Sequence, residues 1–341
     1  MVKLGFAMPA GSYIPASVRL EFAEQLEKLG YESFWLPHTA SRDVDSFDTL
    51  DMLAAAAART SKIKLGTDVL QVPLYQPVDL ARRLVTLDHL SDGRVILGAG
   101  LGWIPKEFAD LGVPFEERGA RMDEALDLMI RLWTEEEVTY EGRYYRVKET
   151  VLAPKPVQKP HPKILMGGLY KGIQRGSPGA PSKGGWNSQG IRRAARFANG
   201  WIPGGRPALN VCQEGMELLK EAARKEGRRL EDEDFDLTLS SFGQFNIDRD
   251  QERAFQEAGR FYTARVRKGY YQVQGNPSFE SLGESGCYGP AGDVAEVVNH
   301  WIGFKKIVPA LKRIVIMFAS LDPLQQLERF HSEVQPLLPS A

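Results

Sequence analysis

Short runs of β-branched and apolar residues alternate with amphipathic stretches along almost all of this 341-residue chain. That alternation restricts it to folds built on a parallel sheet. The strand candidates are residues 3–8, 33–36, 63–72, 94–98, 163–166, 200–202, 236–245 and 313–318. Helical spacing marks the stretches between them. Ser17 is placed to cap the first helix, whose apolar positions Leu20, Ala23, Leu26 and Leu29 precede a stop at Gly30. Pro77 suits the first position of a helix running to Leu90. Further helices are expected over 48–61, 120–133, 190–198 and 211–227, from Asp293 onward, and over 324–334. Residues 138–147 read as a surface hairpin turning at Glu141-Gly142. Eight strand–helix alternations predict an α/β fold, a (β/α)8 TIM barrel with insertions in the loops at its C-terminal face. The pattern alone also allows a doubly wound sheet with a second domain. No linker, low-complexity tail or internal repeat interrupts the rhythm, so residues 1–341 read as a single domain. One stretch, 167–190, is too rich in glycine, proline and serine to supply a core. Residues 169–190 are therefore expected to form a mobile loop, either a surface insertion or a lid.

Charge and composition exclude several function classes. The formal net charge of −1 creates no field that would gather nucleic acid or an anionic membrane. Cys212 and Cys287 lie far apart and form no CxxC, which points to neither a disulfide framework nor a zinc site and suits a reducing, cytoplasmic setting. The N-terminus carries one early lysine and only a short apolar stretch, so it reads as a first strand rather than a signal peptide. No apolar run approaches the roughly 20 residues that span a bilayer. His89, His161, His300 and His331 make no HxH or HExxH pattern, and no metal ligand is assigned. There is no GxSxG turn either.

Gly98, Gly100 and Gly102 occupy alternate positions behind the fourth strand, in RVILGAGLGW. A dinucleotide fingerprint needs GxGxxG in the first strand-turn-helix unit. Here Trp103 stands where the third glycine belongs, the strand is the fourth, and no helix follows at once. The Rossmann reading fails. Glycines that let a strand end tightly explain one such position more easily than three.

Read together, residues 63–145 resemble the core signature of the luciferase-like flavin-dependent oxidoreductases, the superfamily of bacterial luciferase-like monooxygenases and F-420-dependent oxidoreductases. Residues 154–168, 192–203, 288–298 and 322–338 are similar to that family's remaining blocks, in order. The resemblance implies a (β/α)8 barrel that binds reduced FMN or coenzyme F-420 at the C-terminal ends of its strands. It implies hydride transfer, or monooxygenation of a small organic substrate. Thr67, Asp68 and Val69 match the family's third-strand bulge, where a non-prolyl cis peptide presses on the cofactor ring; Asp68 stands where F-420 enzymes often carry serine. Gly100, Leu101, Gly102 and Trp103 match the block near the cofactor's polar chain and phosphate, with Leu101 where bacterial luciferase has arginine. Gly167 and Gly168 match a second phosphate contact; Met166 and Trp201 join the candidate cofactor-binding set, and Arg192 and Arg206 are basic residues able to supply the phosphate's counter-charge or to serve as solvated surface charges.

His38, in WLPHT, is the catalytic candidate by resemblance, since the family often has Asp-His or Glu-His where this chain has Pro37-His38. An imidazole can hold a proton near neutral pH. Trp103 stands where the F-420-dependent glucose-6-phosphate dehydrogenases carry a catalytic glutamate; tryptophan cannot shuttle a proton, so it either walls the substrate pocket or simply packs. The same resemblance implies a homodimer and, if FMN is used, a separate flavin reductase. The alternatives are a non-catalytic flavin-binding barrel and, on fold alone, a metal-dependent barrel hydrolase.

Overall fold

The structure, a computed structural model, describes residues 1–9, 14–41, 45–171, 185–203, 208–240, 245–266 and 287–339. Eight parallel strands form it: β1 (Lys3–Ala7), β2 (Ser33–Leu36), β3 (Lys64–Thr67, resuming at Leu70–Gln71), β4 (Val95–Gly100), β5 (Lys163–Gly167), β6 (Gly200–Ile202), β7 (Asp236–Ser240) and β8 (Leu311–Met317). They pair in the order β3-β2-β1-β8-β7-β6-β5-β4, and β4 pairs back onto β3. The sheet therefore closes, and a TIM barrel rather than an open doubly wound sheet is the fold.

The helices α1 (Ala16–Lys28), α2 (Thr49–Arg59), α3 (Pro77–Leu90), α4 (Arg118–Thr134), α5 (Ser188–Phe197), α6 (Leu209–Lys225), α7 (Gln251–Val266), α8 (Ala291–Gly303) and α9 (Pro323–Arg329) fill the connections. Most begin where side-chain chemistry dictates. Asp48 caps α2 by accepting from the Leu50 and Asp51 amides, and Pro77 opens α3 behind the Gln76 cap. The expected Ser17 cap of α1 is not formed. The helix starts two residues earlier than that cap would set it, behind Pro15, whose ring fixes a pre-helical φ of −58° without any side-chain cap.

Two predicted strands are divided. In 63–72, Gly66 lies opposite Ile96 and Leu70 opposite Ala99, so four steps on β3 match three on β4 and one extra residue bulges out. In 236–245, β7 ends at Ser240, and Phe245–Ile247 pairs instead with Cys287–Gly289 in a small parallel ribbon. The hairpin forms from Val138–Glu141 and Arg146–Thr150. Its turn is clamped by the Glu124 carboxylate of α4, which accepts the amides of Arg143, Tyr144 and Tyr145. Of the loop expected to be mobile, residues 172–184 lie outside the described residues; on either side of them Tyr170–Lys171 and Gly185–Trp186 pair antiparallel.

Side chains sort into two apolar layers, as strand alternation requires. Ala7, Trp35, Ile96, Leu165, Ile202, Val315 and Met317 fill the barrel interior, and Val69 packs on them. The larger layer lies between strands and helices. The N-terminal end of the barrel is sealed. Trp35 is fully buried, with room made by Gly5 and Gly66, where added Cβ atoms would lie 3.1 and 2.2 Å from its ring. Beneath it the Arg313 guanidinium holds both oxygens of Glu32 at 2.6 Å and reaches Asp236 and Thr238 at 3.0 Å. Burial works to raise the Glu32 carboxyl, but the Arg313 bonds and charge outweigh it and hold the group below its ordinary range. Among the described residues, no helix is long and apolar enough to cross a membrane.

Candidate active site at the C-terminal mouth

The bulge in β3 organises the opposite end. Its Asp68-Val69 peptide is cis, as the resemblance implied. Each alternate glycine, Gly98 and Gly100 within β4 and Gly102 beyond it, meets an alternate residue of this irregular strand. A Cβ on Gly98 would lie 1.9 Å from the Thr67 carbonyl oxygen, one on Gly100 2.4 Å from Val69 Cγ2, and one on Gly102 2.5 Å from Gln71 Oε1. Gly102 also has φ +78°. The three glycines are thus the mould of a bulged neighbouring strand, which answers why they recur at every second position. Gly167 on β5 serves the same bulge from the other side, its Cβ position falling 3.0 Å from Val69 Cγ1.

The bulge presents two chemically different surfaces to the mouth. Val69 is half-buried, whereas every other member of the interior cluster is buried, so it forms the exposed apolar cap of the barrel filling. Asp68 is 3 % exposed and points across the barrel, where its Oδ2 accepts the Ser240 hydroxyl of β7 at 2.6 Å. Thr67 anchors the bulge by donating its hydroxyl to Gly98 O at 2.8 Å, and the Asp68 amide donates to Leu36 O.

His38 follows β2 at the same end and is 8 % exposed. Contacts to Gln71 and Tyr75 help to hold it. The Gln71 amide N–H donates to Nδ1 at 3.5 Å, the Gln71 side-chain amide donates to the His38 carbonyl at 3.5 Å, and the Tyr75 hydroxyl lies 3.0 Å from Nε2. Burial, with Asp48 adding to it, keeps the Tyr75 phenol well above its ordinary value and hence protonated; Arg83 opposes this only in part. Nearby, the fully buried Glu107 accepts the Ala40 amide at 2.9 Å and so ties the loop after β2 to the short helix Pro105–Asp110.

The remaining sequence-derived positions divide clearly. Leu101, Gly102 and Trp103 lie half-buried directly beyond β4. Gly168 turns the chain beyond β5 with φ +82° and open space where a Cβ would be. Met166 and Trp201 point the other way. Leu165 and Ile202 take the inward positions on β5 and β6, so their neighbours belong to the strand–helix layer. The Trp201 indole is fully buried and donates to Gly168 O at 2.6 Å, bracing the turn from behind. Arg192 stands 75 % exposed on α5 and pairs with Glu226, while the buried Arg193 pairs with Asp123 of α4. Arg206 lies outside the described residues. Both cysteines are free thiols, and burial pushes Cys212 up to about 12. No cluster of three or more metal-ligating side chains occurs among the described residues.

Sequence reasoning missed Gln71, Tyr75, Glu107 and Ser240. Only Ser240 left a usable signal, as the third alternate polar residue, after Asp236 and Thr238, on a strand otherwise apolar. The others are reached through loop paths that no local pattern encodes.

A closed parallel barrel, plugged at one end and bulged at the other around buried polar groups, is the scaffold of a (β/α)8 enzyme. The chain belongs to the luciferase-like monooxygenase family, whose model matches residues 6–285. It is 38% identical over 236 residues to an F-420-dependent glucose-6-phosphate dehydrogenase of Kineococcus radiotolerans, covering 67% of this chain and 64% of that protein. Two solved structures share the fold at lower identity. A monooxygenase of Streptomyces bottropensis superposes with a TM-score of 0.78 at 22% identity, over 98% of this chain and 99% of the other. The oxygenating component of the 3,6-diketocamphane monooxygenase of Pseudomonas putida, in complex with FMN, superposes with a TM-score of 0.69 at 18% identity, over all of both chains.

Proposed function

We propose that this enzyme is a flavin- or deazaflavin-dependent oxidoreductase that holds reduced FMN or coenzyme F-420 in the C-terminal mouth and acts on a small organic substrate. The observation that carries the reading is the register bulge of β3 set in its glycine mould, with the half-buried Val69 as the apolar cap of a filled barrel. A flat ring system suits such a surface, with the apolar filling of the barrel packed against Val69. The polar surroundings fit as well. Gln71 Oε1 is buried with no hydrogen-bond partner among the described residues, an acceptor suited to the polyhydroxyl chain that both cofactors carry. Gly168 leaves open space beside the N-terminus of α5, which suits the phosphate.

When bound, the cofactor supplies the redox chemistry, as hydride transfer or as oxygen activation. The chain's own residues orient and shield it. Val69 would lie under the ring, Asp68 and Ser240 would form the polar edge of the floor, and Leu101 and Trp103 would wall the substrate side. His38 would hold or release the substrate proton. By family, the protein works as a cytoplasmic homodimer, served by a separate flavin reductase if FMN is the cofactor.

A paired titration of the apoprotein, with FMNH2 under anaerobic conditions and with F-420, tests the reading. Preference for F-420 supports reversible hydride transfer, and preference for FMNH2 supports oxygen chemistry. Binding of neither overturns the proposal. His38→Ala should retain cofactor binding and lower kcat by about 100-fold, within the usual range for removing a proton-transfer group.

A further inference from the structure

We infer that Tyr75 is a positioning residue that, with the Gln71 main chain, locks neutral His38 as the Nε2–H tautomer and leaves Nδ1 as its basic nitrogen. The inference rests on reading His38 as the proton-handling group. A neutral imidazole carries its proton on one nitrogen only. The Gln71 backbone N–H can only donate, and it is directed at Nδ1. Nδ1 must therefore be the acceptor, which puts the proton on Nε2, facing the Tyr75 oxygen at 3.0 Å. The two contacts differ in strength. At 3.5 Å the Gln71 bond is at the limit of a hydrogen bond, so a substrate hydroxyl, which can donate to Nδ1, can replace it; the Tyr75 bond is of ordinary length and persists.

The backbone explains why Tyr75 can serve as a fixed point. It follows the 3-10 turn Val72–Leu74, which contains Pro73, and its amide donates to Val72 O at 3.1 Å. One residue later Gln76 caps α3, which opens at Pro77. Tyr75 is thus held between two proline-bearing turns, and Arg83, paired with Asp48 and Asp51, stands 6.0 Å from its ring centre. The phenol stays protonated in this setting, so its oxygen accepts from Nε2–H while its own proton remains available to a further acceptor.

The test reads the tautomer directly. Nitrogen-15 NMR of histidine-labelled protein, with His38 assigned by its loss in His38→Asn, should show the Nε2–H form in the wild type and a mixture in Tyr75→Phe. In parallel, His38→Asn, whose amide nitrogen approximates Nδ1, should retain at least about ten-fold more kcat than His38→Gln, which approximates Nε2; Tyr75→Phe should lower kcat about ten-fold with KM little changed. An Nδ1–H wild type, or a Tyr75→Phe protein with an unchanged tautomer, overturns the inference. If Tyr75→Phe fails to fold, the wild-type spectrum and the Asn–Gln difference decide alone. An Nε2–H wild type in which both His38 variants turn over normally leaves the tautomer assignment intact and overturns His38 as the proton-handling group.

Discussion

The two ends of the barrel use the same materials to opposite purposes. At the N-terminal end, Gly5 and Gly66 are bare so that one large side chain, Trp35, can fill the lumen. Below it the charges are matched, with Arg313 between Glu32 and Asp236 and its fourth contact on Thr238. At the C-terminal end, Gly98, Gly100 and Gly167 are bare so that the neighbouring backbone can bulge and lift Val69 into the mouth. There the buried polar groups, Asp68, Ser240, His38 and Gln71, bond sideways across elements. The same residue type thus closes one end and shapes the other. What differs is whether the space a glycine leaves is taken by a side chain or by a displaced strand.

Breaking the closed end should cost most. Arg313→Met takes the guanidinium from the buried Asp236 and the half-buried Glu32, leaving Asp236 with Thr238 and the more distant Lys163; a loss of about 3 kcal/mol is expected in urea denaturation, with cofactor affinity of the folded fraction unchanged. Gly98→Ala strikes the open end. The added Cβ would sit 1.9 Å from a backbone oxygen that cannot swing aside, so the bulge itself must move. A stability loss of about 1–3 kcal/mol is expected from overpacking, together with a fall of at least ten-fold in cofactor affinity by titration; unchanged affinity would detach the bulge from the cofactor. Ser240→Ala removes one bond to Asp68 and should cost about 1–2 kcal/mol, with a change in cofactor affinity or potential that Thr60→Ala, a buried hydroxyl elsewhere, does not produce. The smallest effect concerns acid. The Glu32 carboxyl is depressed in the folded state, so it adds stability above its unfolded value of about 4.3 that fades as pH falls through the lower folded value. Glu32→Gln should therefore be less stable at neutral pH and show a shallower loss on acidification, measured by thermal melts from pH 7 to 3.

Much of the fold was legible because strands and helices are local. Each of the eight strand candidates overlaps a barrel strand, although those at 94–98, 163–166 and 313–318 miss one or two residues at an end, and α3 runs over the expected residues, from Pro77 to Leu90. The site was legible in a different way. The glycines of β4 were visible as a motif, but their partners at 67, 69 and 71 were not, because a one-residue shift in register decides which residue each glycine faces. For the same reason, membership in a motif misplaced the side chains of Met166 and Trp201. Alternation says that Met166 and Leu165 point oppositely, but only closure of the barrel says which of them faces inward.

By itself the sequence determined the order and type of the elements and the family to which the chain belongs, and through that resemblance alone the bulge at Thr67-Asp68-Val69, since periodicity and motifs are carried by residues near one another in the chain. The tertiary structure alone decided that Asp68 meets Ser240 across 172 residues, that Tyr75 and Gln71 grip His38, and that Arg313 seals the far end. Those contacts join strands and loops whose relative placement is set by closing the sheet, a condition on the whole chain that no local stretch of residues contains.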